Sequence, residues 1–320
     1  METVAKTCRK FGSQVNAETV DVAERDAMAR WIESVDALNP LDLVIANAGT
    51  SAGTGSQVRG SILRPASWSG NYAIKPTFGA LNRLGGHSMS PSQSVLGVHA
   101  GTLEDCWATA YYISSTAGGD PGHPGLYGEA TLGAAKRPKR LIRLDTLGWQ
   151  NTEDETKDRF EAFLGALGDQ DVEIISRRDD PDIESFEQAM TTILDFLRPL
   201  FAWEMQWPGK VQRDKGEHLI SQEILGRIAR GESMTIEDYR QALKGREALC
   251  AAFEKIRGKA DAYVTLTALG PPPVGMPVGD PVYGDVSSCP PAWRMASRMA
   301  SAPRRRRLIC QQRRFSGSIW

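Results

Sequence analysis

The apolar residues follow two spacings along the chain, and each spacing predicts a different element. Met28, Trp31, Ile32 and Val35 fall at i, i+3, i+4 and i+7, which is one face of a helix. Asp21 and Glu24 stand where a capping box would open that helix. Asn39-Pro40 would close it, because the residue before a proline avoids helical geometry. Residues 15–22 and the apolar run 41–46 read as strands, the second suited to a buried parallel sheet. The N-terminal stretch therefore predicts a Rossmann-like strand–helix–strand fragment.

Further on, the two spacings alternate. Residues 141–144 and 172–175 predict short strands. Phe160, Phe163, Leu164 and Leu167 line one predicted helix, and Phe186, Met190, Ile193, Leu194 and Leu197 line another. Thr235 and Asp238 suit a capping box at the start of a long helix reaching to about Arg257. Strand–helix alternation predicts an α/β architecture, a mixed β-sheet flanked by helices. The aromatic stripes are expected to pack the core rather than hold a cofactor.

Composition narrows the function classes. A chain of 320 residues that is 41% hydrophobic and 24% charged can bury a real core. Its net charge of −1 points to neither a nucleic-acid nor a membrane partner. Residues 290–320 hold eight arginines and no Lys, Asp or Glu; without them 30 basic residues face 39 acidic ones. That composition does not predict a packed core, and it reads as an aberrant or disordered tail. The five cysteines (Cys8, Cys106, Cys250, Cys289 and Cys310) are widely spaced, with no C-x-x-C pair. They predict a reducing compartment, hence the cytoplasm, without a disulfide framework or zinc site. The start METVAKTCRKFGSQ lacks the apolar core of a signal peptide, and no apolar run nears a membrane span. His87, His99, His123 and His218 are scattered without metal-ligand spacing, so neither metal nor cofactor is expected.

Two stretches resemble known families. The order VDVAERDAMARWIESVDALNPLDLVIANAG resembles short-chain dehydrogenase/reductases, with Asp21 at the adenine-contact position and Asn47, Ala48 and Gly49 beside the cofactor site. The glycine-rich phosphate loop and the Y-x-x-x-K pair of that family are not matched; Tyr72 and Lys75 are one residue too close.

From Gly55 onward the chain resembles the amidase signature family. The resemblance rests on Gly60-Ser61-Ile62, Pro65-Ala66-Ser67, Gly70, Lys75-Pro76-Thr77, Gly79, Gly85, Pro91, Gly97 and Glu104-Asp105, in that order, and resumes at DAYVTLTALGPPPVG. It implies a hydrolase of carbon–nitrogen bonds acting on a small-molecule amide, with Ser61 as nucleophile. The turn of Val58, Arg59 and Gly60 would supply backbone N–H groups for the oxyanion, and a glycine at 60 permits the close approach. Arg59 stands where the family has a smaller residue, and would point outward or meet an acidic leaving group. The A-type subunits of glutamyl-tRNA amidotransferases share the signature, but Arg59 and Leu63-Arg64 give that branch no support.

The resemblance also implies a buried neutral lysine as base and a second serine that relays its proton. Thr50 and Ser51 occupy the glycine- and serine-rich stretch that resembles the relay motif. Ser61 follows within about ten residues, too few for the intervening helix. Only Lys6 and Lys10 precede, in dehydrogenase-like surroundings, so no base is assigned and impaired turnover is expected. The boundaries drawn are 1–53, a dehydrogenase-like fragment; 54–289, a partial amidase domain; and 290–320, the Arg-rich tail. The alternatives to an amide hydrolase are an NAD(P)-dependent oxidoreductase fragment and a non-catalytic chimeric product. Oligomeric state is not legible.

Overall fold

A computed structural model describes residues 6, 9, 15, 18, 25–38, 54–86, 89–273 and 280–285. It divides into two compact units, Met1–Gly53 and Thr54–Trp320. In the first, helix α1 (Arg25–Leu38) carries the predicted apolar face of Trp31, Ile32 and Val35. Of the expected strand at 15–22 only residues 15 and 18 are described, and neither is in a strand. The expected strand at 41–46, the Asp21/Glu24 cap, Asn47-Ala48-Gly49, Thr50 and Ser51 lie outside the described residues, as does the tail 290–320.

The second unit mixes antiparallel and parallel pairing, distributed over two separate three-stranded sheets. Strands β1 (Thr54–Gln57), β2 (Tyr72–Ile74) and β3 (Val95–Ala100) pair antiparallel in the order β1-β3-β2. Gln57 lies opposite Val95 and Ile74 opposite Val98. Strands β4 (Arg140–Arg143), β5 (Glu173–Ile175) and β6 (Ala262–Val264) pair parallel in the order β5-β4-β6. Parallel strands require crossovers, and the helices supply them. Both predicted strands at 141–144 and 172–175 are present within one residue of their expected limits.

Local signals explain most helices. Helix α2 (Leu63–Trp68) is a short helix after β1. Helix α3 (Leu103–Ala117) starts at Thr102, whose hydroxyl accepts from the Asp105 N–H. Helix α4 (Asp154–Gly168) buries Phe160 and Leu164 on the expected face. Helix α5 (Pro181–Met190) begins with Pro at its first position and Asp180 accepting from two backbone N–H groups. Lys259 anchors the same Asp180 at 2.6 Å. Helices α6 (Ile193–Gly216) and α7 (Gln222–Ser233) follow, and α8 (Ile236–Ile256) opens with the predicted Thr235–Asp238 capping box, both bonds made.

One expectation is corrected. Phe186 to Leu197 reads as one helix, yet α5 and α6 are separate. Thr191 and Thr192 turn their hydroxyls onto the carbonyls of Gln188 and Ala189, and Thr192 sits at φ −99°, ψ 10°. These side-chain bonds compete with the helical ladder while the apolar period runs on, so spacing alone conceals the break.

The core gathers Ile142, Leu144, Phe186, Met190, Leu197, Leu249 and Phe253 between β4 and helices α5, α6 and α8. The expected aromatic core residues Phe160 and Phe186 are buried. Glu204 on α6 reaches the loop before β3, accepting from the Ser90 hydroxyl at 2.7 Å and the Ser92 N–H at 2.9 Å. Trp68 donates to the Gly270 carbonyl at 2.9 Å, tying α2 to the loop after β6. Cys106 and Cys250 are buried. Burial pushes the Cys106 thiol up to about 11, so it stays protonated. Among the described residues no helix is long and apolar enough to cross a membrane.

Candidate active site

Strand β1 ends at a buried glutamine, and that side chain shapes the turn that follows. Gln57 is fully buried. Its amide oxygen accepts from the Ile62 N–H at 2.8 Å and the Leu63 N–H at 3.1 Å, while its amide nitrogen donates to the Arg59 carbonyl at 2.7 Å. One side chain thus substitutes for backbone partners across residues 58–62. The Ile62 side chain is buried against Gly97 on β3, where an added Cβ would meet its Cδ1 at 2.6 Å. Gly97 is therefore required by packing: it makes room for the residue beside Ser61.

The turn is held from its other side by a distant segment. The Arg59 guanidinium pairs bidentately with Asp285, through Nε and Nη2. Asp285 is fully buried. Burial pushes its carboxyl upward, and the Arg59 charge pulls it back. Of the two roles open for Arg59, pointing outward or meeting a leaving group, the structure shows neither: its charge is matched within the protein. Gly284 packs directly on the backbone of Arg59 and Gly60. A Cβ there would overlap the Arg59 carbonyl, so Gly284→Ala should displace the turn. The expected loss is about 1–3 kcal/mol, read by denaturant unfolding, as for overpacking elsewhere. An unchanged midpoint would show that the contact is slack.

Ser61 stands exposed at the tip of this turn. Among the described residues its hydroxyl has no hydrogen-bond partner, and neither do the N–H groups of Gly60 and Ser61. Gly60 is buried beside Pro281, and its carbonyl accepts from the Arg64 N–H at 3.1 Å. The turn therefore presents an unencumbered alcohol next to unengaged N–H donors, an arrangement that can stabilise a developing oxyanion. Val58 and Arg59 lie in the same turn, so the structure brings four of the six expected site residues together. The other two, Thr50 and Ser51, are outside the described residues.

No base meets this alcohol among the described residues. Lys75, beside β2, makes no bond to Ser61. His99 on β3 is pushed toward its neutral form by burial, but no hydrogen bond links it to Ser61. Among the described residues, no group of three or more His, Cys, Asp or Glu could hold a metal ion.

Sequence reading missed Gln57, Gly284 and Asp285. Gln57 carries a usable signal, a long amide placed just before a glycine turn. Asp285 lies 226 residues from Arg59, and no local pattern could pair them.

Comparison with known proteins identifies the family and the fold. A family profile described as Amidase matches residues 43–289. The A-type subunit of glutamyl-tRNA(Gln) amidotransferase from Ruminiclostridium cellulolyticum is 34% identical over 96 residues, covering 26% of this chain and 19% of that protein. Its counterpart from Ralstonia pickettii is 44% identical over 70 residues, covering 22% of this chain and 13% of that one. Among solved structures, an amidase superposes with a TM-score of 0.57 at 19% identity, over 75% of this chain and 52% of its own. Kluyveromyces lactis urea amidolyase gives 0.57 at 15% identity, over 75% of this chain and 14% of its own. These structural likenesses establish the fold. The chain spans about half the solved amidase, and its matched segments under one fifth of these curated relatives.

Proposed function

The chain belongs to the amidase family, and from that premise we propose that it bears the nucleophile segment of a site hydrolysing carbon–nitrogen bonds in small-molecule amides. Ser61 Oγ attacks the amide carbonyl, forming the C–O bond and a tetrahedral oxyanion. The N–H groups of Gly60 and Ser61 receive that oxyanion. Collapse breaks the C–N bond, the departing amine takes up a proton, and water later cleaves the Ser61 ester to release the acid. The Ser61 proton needs an acceptor, and none touches it among the described residues, so turnover by this chain is slow.

One observation carries this reading. The turn at 58–61 is fixed from two sides, by Gln57 and by the Arg59–Asp285 pair, while its serine and donors stay unengaged. A packed fold that leaves an alcohol and adjacent N–H groups without partners suits an acyl-transfer site. The test is covalent. Prolonged exposure to a fluorophosphonate, followed by peptide mass spectrometry, should place the adduct on Ser61. Ser61→Ala should carry none. An adduct on another serine, or equal labelling of the variant, would rule out Ser61 as nucleophile.

A further inference from the structure

Residues 280–285 form a strap against the Ser61 turn, and one side chain in it serves a different neighbour. The Gly284 N–H donates to the Pro281 carbonyl at 2.8 Å and the Asp285 N–H to that of Val282 at 3.3 Å, coiling the strap into one turn. Residues three and four apart on such a turn share a side. Pro281, Gly284 and Asp285 accordingly all meet Arg59 or Gly60. Tyr283 falls between them and packs elsewhere, with Phe160, Leu164 and Leu266 in the core.

The Tyr283 ring lies on Gly148, where an added Cβ would meet its Cε2 at 2.6 Å. Its hydroxyl is 2.5 Å from Thr152 Oγ1. Thr152 has a single hydroxyl proton and donates it to the Gly148 carbonyl at 2.8 Å, so Tyr283 is the donor in the pair. Burial pushes the Tyr283 hydroxyl up to about 12, and it keeps that proton.

The loop that receives this bond is itself fixed. Gly148 and Thr152 follow β4 of the parallel sheet. Buried Glu187 on α5 accepts from the Asp145 N–H at 2.7 Å and the Thr146 N–H at 2.9 Å. Thr146 has φ 56°, a conformation unfavourable for a branched side chain, and Glu187 holds it there. Contacts therefore run from the loop after β4, through Thr152 and Tyr283, to Gly284 and Asp285, and on to Arg59 and Gly60 in the turn after β1.

We propose that Tyr283 is a positioning residue for the oxyanion donors: its hydroxyl, bonded to Thr152, fixes the strap and through it the N–H groups of Gly60 and Ser61. This rests on the reading of those groups as the oxyanion site. Tyr283 touches no reacting atom and moves no proton.

Amide hydrogen exchange of the full chain, read by mass spectrometry, tests the coupling. The N–H groups of Ile62, Leu63 and Arg64 are bonded across the Ser61 turn, so their exchange reports its opening. Tyr283→Phe keeps the ring and removes the hydroxyl. It should speed exchange at residues 62–64 roughly 3–10-fold, the usual contribution of one hydrogen bond, and leave α8 at parental rates. Thr152→Val should do the same and covers poor folding of the first variant. The double variant should add nothing further, and Thr152→Ser, which keeps the acceptor, should restore parental exchange. Fluorophosphonate labelling of Ser61 should slow by a similar factor in both single variants. Parental exchange at 62–64 in both of them, acceleration spread equally over α8, additive losses in the double variant, or labelling at the parental rate overturns the proposal. If the parent carries no adduct on Ser61, the hydrolase reading fails, while the exchange result still decides whether Tyr283 holds the turn.

Discussion

Fluorophosphonate labelling of Ser61 in this chain should run about 10⁴–10⁶ times slower than in an amidase with a complete nucleophile–base unit, the usual loss when such a unit is broken. The cause is proton inventory. A serine alcohol is a poor nucleophile until a neighbour removes its proton. The Ser61 hydroxyl has no hydrogen-bond partner among the described residues. On the proposed reading, in which no residue accepts that proton, solvent hydroxide does. The logarithm of the labelling rate should therefore climb with pH at a slope of about one, without the plateau that a titrating base produces. The measurement is the second-order rate across pH, corrected for reagent hydrolysis. A plateau near neutral pH, with rates like those of complete amidases, would mean that a base does act on Ser61.

The second large effect concerns stability. Arg59→Met should cost about 3–5 kcal/mol, because it leaves the Asp285 carboxylate buried without its partner. The pH dependence identifies the cause. Burial already pushes the Asp285 carboxyl upward, and the variant loses Arg59, the stronger of the two arginine charges that oppose this shift. A carboxyl whose folded value lies above its unfolded value destabilises at high pH; acidification through the raised folded value protonates it and removes the penalty. The stability gap between variant and parent should therefore narrow as pH falls. Adding Asp285→Leu should recover much of the loss, since an apolar replacement leaves no buried charge. Denaturant unfolding of the three proteins across pH provides the check. A gap that widens in acid, or a loss under about 1 kcal/mol, would show that the pair contributes little.

Much of the helical layer was legible because its signals are local. The Thr235–Asp238 capping box needs only residues three apart, and it opens α8 as expected. Phe160 and Leu164 share a face of α4 because helical spacing puts them there. The α5–α6 break was hidden because Thr191 and Thr192 interrupt the hydrogen bonds but not the apolar period. Parallel and antiparallel pairing were both expected. Their separation into two sheets depends on contacts such as Leu141 with Ala262, which no spacing rule reaches.

The site divides along the same line. By itself the sequence determined the family, through an ordered series of motifs that begins at a serine after a small turn glycine. Only the tertiary structure decided how that turn is held and what faces it. Gln57 spans the turn, Asp285 occupies Arg59, Gly284 supports Gly60, and Arg64 is buried on the Trp68 ring. The physical reason is range. Capping and periodicity act within a few residues, whereas pairing a buried charge depends on segments that folding alone brings together.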